Sequence, residues 1–140
     1  MLPFPITLVP GESPYRQVVY AATKAVVSGV LPAGSPFPSV RELSQVLKIN
    51  PNTAHKVVAE LVRNGVLEVL PGVGTVVAVG AESSAADKRT LLAKPVEQLV
   101  VEAMRLGLKE QDVAQALASR WRQLSGGTQQ DAARRAATSE

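Results

Sequence analysis

The chain has 140 residues and a formal net charge of +3 at pH 7, and hydrophobic residues make up 46% of it. This length suits one globular domain with an appendage, and an aromatic content of only 4% predicts a core built mostly of Val, Leu and Ala. With no cysteine and one histidine, the sequence excludes disulfides, thiolate catalysis, Cys-ligated metals and any His-rich metal site.

The first helix is expected to follow an irregular or extended lead-in. The stretch 1–13 carries no basic segment typical of a signal peptide, and no apolar run approaches the ~18 residues of a membrane span. Pro14, directly after Ser13, suits the start of a helix, and apolar residues then recur at helical spacing as far as Gly29. The Pro- and Gly-rich "LPAGSPFPS" that follows predicts a constrained loop.

Two further helices are predicted close together. Ser39 and Glu42 have the spacing of a capping box, which starts the second helix. Asn50 and Pro51 start the third, because a proline loses nothing at the first helical position, and Gly65 ends it. The very short connection between these helices indicates a helix-turn-helix.

A hairpin is expected next. "VLEVL" alternates as a strand does, "PGVG" supplies a turn and "TVVAV" reads as the returning strand. The predicted fold class is therefore mainly α with a small β-hairpin wing. An N-terminal winged helix-turn-helix domain, 1–80, precedes a two-helix C-terminal region.

The remainder divides into three parts. The stretch 81–94 is expected to be a polar linker, or the first turn of another helix. Two amphipathic helices separated by Gly107 should occupy 95–124. The stretch 125–140 lacks large apolar residues and is expected to be disordered.

The stretch 13–78 resembles the winged-helix DNA-binding domain of GntR-family transcriptional regulators. The resemblance rests on an ordered set of motifs: "G-x-L-x-x-G", "PSVRELS", "NPNT", "ELVRNGVLE" and the wing "GVGTVV". The short helical remainder is similar to that of the YtrA-like subfamily, which carries a small dimerisation region in place of a large effector domain. The resemblance implies a dimeric regulator of transcription that binds double-stranded DNA.

The resemblance also implies which residues contact DNA. In this motif the recognition helix enters the major groove by its N-terminal residues, while the preceding helix crosses the backbone. The family positions that contact DNA correspond here to Ser39, Arg41, Asn50, Asn52, Thr53, His55 and Gly72. Lys56 is added as a phosphate contact from its position alone.

Several of these residues also have a purely structural interpretation. Ser39 caps its helix in any case, Arg41 and His55 suit a solvated helix surface, and Gly72 suits a tight turn. The chain has Pro51 and His55 where many family members carry Arg, and Pro71 where many carry a basic or His residue. Fewer cations predict weak, salt-sensitive binding by one domain and a greater need for dimerisation.

The C-terminal helices are too short to enclose a drug-sized pocket as well as to bury their own apolar faces. They are therefore expected to form a homodimer, whose two-fold axis predicts an inverted-repeat operator. The expected interface comprises Val96, Leu99, Val100, Met104, Val113, Leu117 and Trp121.

The function expected from the sequence is a cytoplasmic, homodimeric repressor that needs no cofactor or metal and contacts no membrane. The sequence leaves open whether a small-molecule effector exists. An enzyme is not expected, because no phosphate-binding loop, metal-ligand cluster or nucleophile with a base is present. A winged helix used for protein contacts remains the alternative.

Overall fold

The computed structural model describes residues 1–80 and 84–138, and their side chains as far as Gly126. Its elements are α1 (Pro14–Val27), α2 (Val40–Leu47), α3 (Pro51–Arg63), β1 (Leu67–Leu70), β2 (Gly74–Val77), α4 (Ala85–Leu92), α5 (Lys94–Arg105) and α6 (Glu110–Thr138). The predicted fold class, mainly helical with a two-stranded hairpin, is confirmed. Among the described residues, no helix is both long and apolar enough to cross a membrane.

The first three helices begin where the sequence predicts, because each has a polar cap. The Ser13 hydroxyl accepts a hydrogen bond from the Arg16 N–H at 3.3 Å, and the Ser39 hydroxyl accepts one from the Glu42 N–H at 3.1 Å. These bonds satisfy backbone donors that a helix start leaves without partners. Pro14 and Pro51 occupy early positions of α1 and α3, where a missing N–H costs nothing.

The hairpin is extended by a third segment. β1 and β2 pair antiparallel with Leu67 opposite Val77. On its other edge, β2 is bridged by Pro36, and the Phe37 N–H donates to the Thr75 carbonyl at 2.9 Å. The loop before α2 is thereby fixed to the wing.

One core holds these elements together. It consists of Phe4, Val18, Ala22, Ala25, Leu31, Phe37, Leu43, Ala54, Val57, Leu61, Leu67 and Val77. Two of these residues are aromatic, Phe4 and Phe37, in keeping with the low aromatic content. Their rings are stacked, with centroids 5.8 Å apart. The lead-in is thus part of the core.

The Gln17 side chain fastens that lead-in to α1. Its Oε1 accepts from the Val9 N–H at 2.7 Å, and its Nε2 donates to the carbonyls of Val9 and Glu12, each at 3.1 Å. An amide that bonds both backbone groups of Val9 acts as a neighbouring strand would. The lead-in is therefore held against α1 at Val9 and Glu12.

The chain forms two compact units, 1–81 with 124–140, and 82–123. Two stretches are more helical than a linker and a disordered end would be. The expected linker contains α4, which is started by the Ser84 hydroxyl accepting from the Asp87 N–H at 3.1 Å; residues 81–83 lie outside the described residues. Where disorder was expected from Ser125, α6 continues to Thr138, because the alanines and arginines of "DAARRAAT" have high helix propensity; the last two residues also lie outside the described part.

Candidate nucleic-acid interface

The turn between α2 and α3 is held by hydrogen bonds across it. Lys48 adopts a left-handed backbone conformation with φ of 54° and ends α2. The Ser44 hydroxyl donates to the Ile49 carbonyl at 2.8 Å, and the Ile49 N–H donates to the Ser44 carbonyl at 3.2 Å. These two bonds set the position at which Asn50 begins the next helix.

Helix α3 has an inner and an outer face. Ala54, Val57 and Leu61 are fully buried at helical spacing. The outer face carries the exposed Asn52, His55, Lys56, Ala59 and Arg63, whose spacings of three, four and seven residues place them along one stripe. The first two turns of this stripe therefore present an amide, an imidazole and an ammonium group to the surroundings.

Asn50 has both a structural and an exposed part. Its Oδ1 accepts from the Asn52 N–H at 2.8 Å and so caps α3. Its amide nitrogen keeps two donors. Thr53, next to it in the first turn, is half-buried. The start of α3 is thus rigid, as a surface that discriminates between ligands requires.

The start of α2 adds a cation. Arg41 lies in its first turn and is exposed. Within the part of the chain that the structure describes, neither Arg41 nor Lys56 forms an ion pair. Both are therefore available to an anionic ligand.

Gly72 lies at the tip of the hairpin. Pro71 and Gly72 occupy the centre of a turn closed by the Val73 N–H donating to the Leu70 carbonyl at 3.0 Å. Gly72 has φ of 76°, as the third residue of a type II turn requires. The structural interpretation of this glycine is therefore sufficient. The neighbouring Val73 is 73% exposed, so the tip is apolar.

The structure places seven of the eight predicted DNA-contacting residues at two helix starts. Ser39 and Arg41 begin α2, and five residues occupy the first two turns of α3, which packs against α2: Asn50, Asn52, Thr53, His55 and Lys56. Gly72 lies apart, on the hairpin turn. Sequence reasoning missed the contribution of Ser44, whose hydroxyl fixes the turn. In the sequence, only the presence of a serine at this position, five residues before Ile49, indicated this hydrogen bond.

The predicted dimer residues form a second surface, on α5 and α6. Four of them on α5, Val96, Leu99, Val100 and Met104, are 40–72% exposed. On α6, Leu117 and Trp121 are exposed and Val113 is half-buried. In unit 82–123, Ala103 is the one buried residue among those described. Exposed apolar side chains in this number are unusual for a protein surface that faces water alone.

These features define a class of protein, the winged helix-turn-helix DNA-binding proteins: three helices, a hairpin wing, and a recognition helix whose start is polar, rigid and exposed. The family description "Bacterial regulatory proteins, gntR family" matches residues 14–77. The chain belongs to this family.

Relatives extend the match beyond the winged helix. The "HTH-type transcriptional repressor YtrA" of Bacillus subtilis (strain 168) is 29% identical over 84% of this chain and 91% of its own. The "Uncharacterized HTH-type transcriptional regulator YhcF" of the same organism is 31% identical over 74% and 85%. The expected resemblance to YtrA-like regulators is thus confirmed over most of both chains.

A solved structure supports the same architecture. The crystal structure of a "Transcriptional Antiterminator" from Listeria monocytogenes EGD-e has a TM-score of 0.75 and 26% identity. It covers 89% of this chain and 93% of its own, so the likeness includes the C-terminal helices. The chain is a DNA-binding transcriptional regulator of the gntR family.

Proposed function

We propose that the protein is a homodimeric, cytoplasmic repressor that binds an inverted-repeat operator through the starts of α2 and α3. The observation that carries the proposal is the outer face of α3, where Asn52, His55 and Lys56 are exposed on a helix whose start is capped and fixed by a rigid turn. In this motif such residues contact base edges in the major groove.

The roles of individual groups follow from their chemistry. The amide of Asn52 suits the paired donor and acceptor of adenine, and the amide nitrogen of Asn50 suits an acceptor on a base or a phosphate. Arg41 suits a guanine edge or a phosphate, and Lys56 a phosphate. The apolar wing tip at Gly72 offers backbone groups but no cation to the minor groove.

The dimer is supported by the apolar face of α5 and α6. A second copy is the occupant that fits best, because two copies related by a two-fold axis would bury the same face twice in a four-helix contact. In this proposal residues 1–80 form the winged-helix DNA-binding domain, and residues 95–124 form the dimerisation region. Repression is supported by the similarity to the Bacillus subtilis repressor YtrA, and no small-molecule effector is assigned.

The test measures, by fluorescence anisotropy at two salt concentrations, the affinity of the protein for a selected duplex and for random duplex. A specific regulator should bind a selected inverted repeat at least ~1,000-fold more tightly than random duplex. Weak binding to every fragment that vanishes with salt would contradict sequence-specific recognition. No binding at all would favour a winged helix used for protein contacts.

Single substitutions locate the reading surface. Arg41→Ala and His55→Ala should each weaken operator binding without changing the melting temperature. A lost base contact should cost about 1–3 kcal/mol and relax specificity at one position, whereas a lost phosphate contact should weaken all sequences alike. A variant that binds as the unmodified protein does would remove that residue from the interface.

A further inference from the structure

An open groove lies beside the recognition helix, between the beginning of α1 and the outer face of α3. It is lined by Tyr15 of α1 and by Thr53, Lys56, Ala59 and Arg63 of α3. Both helices belong to the same compact unit and pack against each other. The groove is therefore a fixed feature of the winged-helix unit.

The groove combines two cations with the hydroxyl-bearing residues Tyr15 and Thr53. Lys56 and Arg63 are seven residues apart on α3, which places them two turns apart on the same side, with a spacing of roughly 10 Å along the axis. Tyr15 of α1 lines the groove opposite them, and its side chain carries a phenolic O–H. Ammonium, guanidinium and hydroxyl donors around an open trough are suited to a chain of phosphates rather than to a single enclosed ligand.

One carboxylate adjoins this groove. Glu60 forms an ion pair with Arg63 one turn along α3. The Arg63 side chain is 71% exposed and that of Glu60 is 23% exposed. Because a guanidinium has five N–H donors, Arg63 can keep this ion pair and still donate outward, and the pair holds its side chain along the helix.

We propose that this groove holds the sugar–phosphate backbone of the duplex that α3 reads, with Tyr15 of α1 and Arg63 in the last turn of α3 as contacts beyond the first two turns of the recognition helix. Two observations select DNA as the occupant. Thr53 and Lys56 belong both to the groove and to the first two turns of α3, so the two surfaces are continuous. The cations of the groove are complementary to the charge of the occupant. The proposal rests on the proposed mode of DNA recognition through the start of α3.

The dimensions of DNA agree with this assignment. The major groove is about 8.5 Å deep, so the backbone strands beside an inserted helix lie at the level of its later turns. Long side chains on a helix lean toward its N-terminus. Lys56 and Arg63 therefore lean toward the duplex when the start of α3 contacts the bases.

A purely structural role makes a different prediction. Arg63 lies in the last turn of α3, where a cation interacts favourably with the helix dipole, and Tyr15 packs partly against the core. Substitutions at such residues would alter stability. They would leave the dependence of DNA binding on salt unchanged, since that dependence counts phosphates neutralised by the protein.

The experiment measures the affinity for random duplex and for a selected operator over a series of salt concentrations. Each phosphate contact contributes about 0.9 to the slope of log affinity against log salt. Lys56→Gln and Arg63→Gln should each lower the slope by about that amount per bound chain, on both duplexes. Tyr15→Phe should weaken binding about 2- to 10-fold without changing the slope, because a neutral hydrogen bond is lost.

Lys24→Gln is the matched control. Lys24 also lies on α1, is exposed, and lines a different groove, so this variant removes the same charge elsewhere and should keep the full slope. Thermal melting checks that each variant is folded. If Arg63→Gln does not fold, Arg63→Lys replaces it. This variant keeps the positive charge and should therefore keep the slope, although it changes the geometry of the ion pair with Glu60.

The outcomes separate this proposal from the proposed function. If Arg63→Gln behaves as Lys24→Gln does and Tyr15→Phe binds normally, the groove lies outside the footprint and the proposal is overturned, while recognition through α3 stands. If the unmodified protein binds no duplex at all, both fail. If the slope is lower for Lys56→Gln and for Arg63→Gln but not for Lys24→Gln, the groove is supported as a site for the DNA backbone.

Discussion

The two compact units of this chain differ in how they bury apolar surface. The winged-helix unit holds a core of twelve buried residues, drawn from all its helices and its hairpin. In unit 82–123, Ala103 is the one buried residue among those described, while Leu99, Met104 and Leu117 remain exposed. Burial of apolar surface is the main source of folding free energy. The first unit buries such surface within itself, whereas the exposed apolar side chains of the second unit need a partner surface to cover them. A second copy supplies that surface in the proposed dimer.

The largest effect is expected from a charge placed on the apolar face of α5. Leu99→Asp should give a monomer in sedimentation experiments at tens of micromolar, because a carboxylate cannot be buried unpaired. Affinity for an inverted repeat should fall about 10²–10⁴-fold, since the second half-site no longer benefits from effective concentration. Gln98→Asp, a charge on the neighbouring polar position, is the control and should remain dimeric. A dimeric Leu99→Asp variant would disprove the assignment of this face.

A cavity in the first core should have a different signature. Leu61 is fully buried on α3, so Leu61→Ala should lower the free energy of unfolding by about 2–5 kcal/mol. The loss should be independent of protein concentration. Leu117→Ala on α6 should instead lower the stability by an amount that depends on protein concentration, because it weakens the dimer. Equal behaviour of the two variants in urea titrations at several concentrations would erase the distinction between the units.

A smaller effect is expected at the cap of α3. Asn50→Ala should cost about 0.5–2 kcal/mol of stability, because the Asn52 N–H loses its acceptor. Asn50→Asp keeps an acceptor and should keep the stability, but its charge should weaken binding to DNA. Chemical denaturation combined with anisotropy separates the two functions of this side chain. Unchanged DNA binding by Asn50→Asp would limit Asn50 to the capping role.

The smallest effect is expected at an exposed pair on α5. The hydrogen bond from Arg105 lowers the pKa of the Glu102 carboxyl below its ordinary value. The stabilisation is therefore present above the ordinary pKa of a glutamate and is lost as pH falls through the lowered one. Both side chains are solvent-exposed, so the contribution is small. Melting temperatures measured over an acidic pH series should fall slightly more for the unmodified protein than for Glu102→Gln; a parallel fall would show that the pair contributes nothing.

Local signals predicted the winged-helix unit well. Ser13, Ser39 and Asn50 cap helices through bonds to residues two or three positions away, so the spacing in the sequence contains the whole interaction. The Pro71–Gly72 turn is likewise determined by the backbone preferences of two adjacent residues. These same local signals located the candidate recognition helix.

Contacts between distant residues could not be predicted in this way. The stacking of Phe4 on Phe37 joins segments more than thirty residues apart, and the groove between Tyr15 and Arg63 exists only because α1 packs on α3. In the C-terminal part, α4 and the end of α6 have polar sequences without the apolar periodicity that indicates a helix packed on a core. Helix propensity carried the better signal there.

The central claim is that two copies of this chain read one operator, each through the start of α3. The most direct measurement is the stoichiometry of binding to a selected inverted-repeat duplex, at protein and DNA concentrations well above the dissociation constant, by sedimentation of the complex. The account predicts saturation at two chains per duplex, and a half-site duplex that binds far more weakly. Saturation at one chain per duplex, with equal affinity for the half-site, would contradict it.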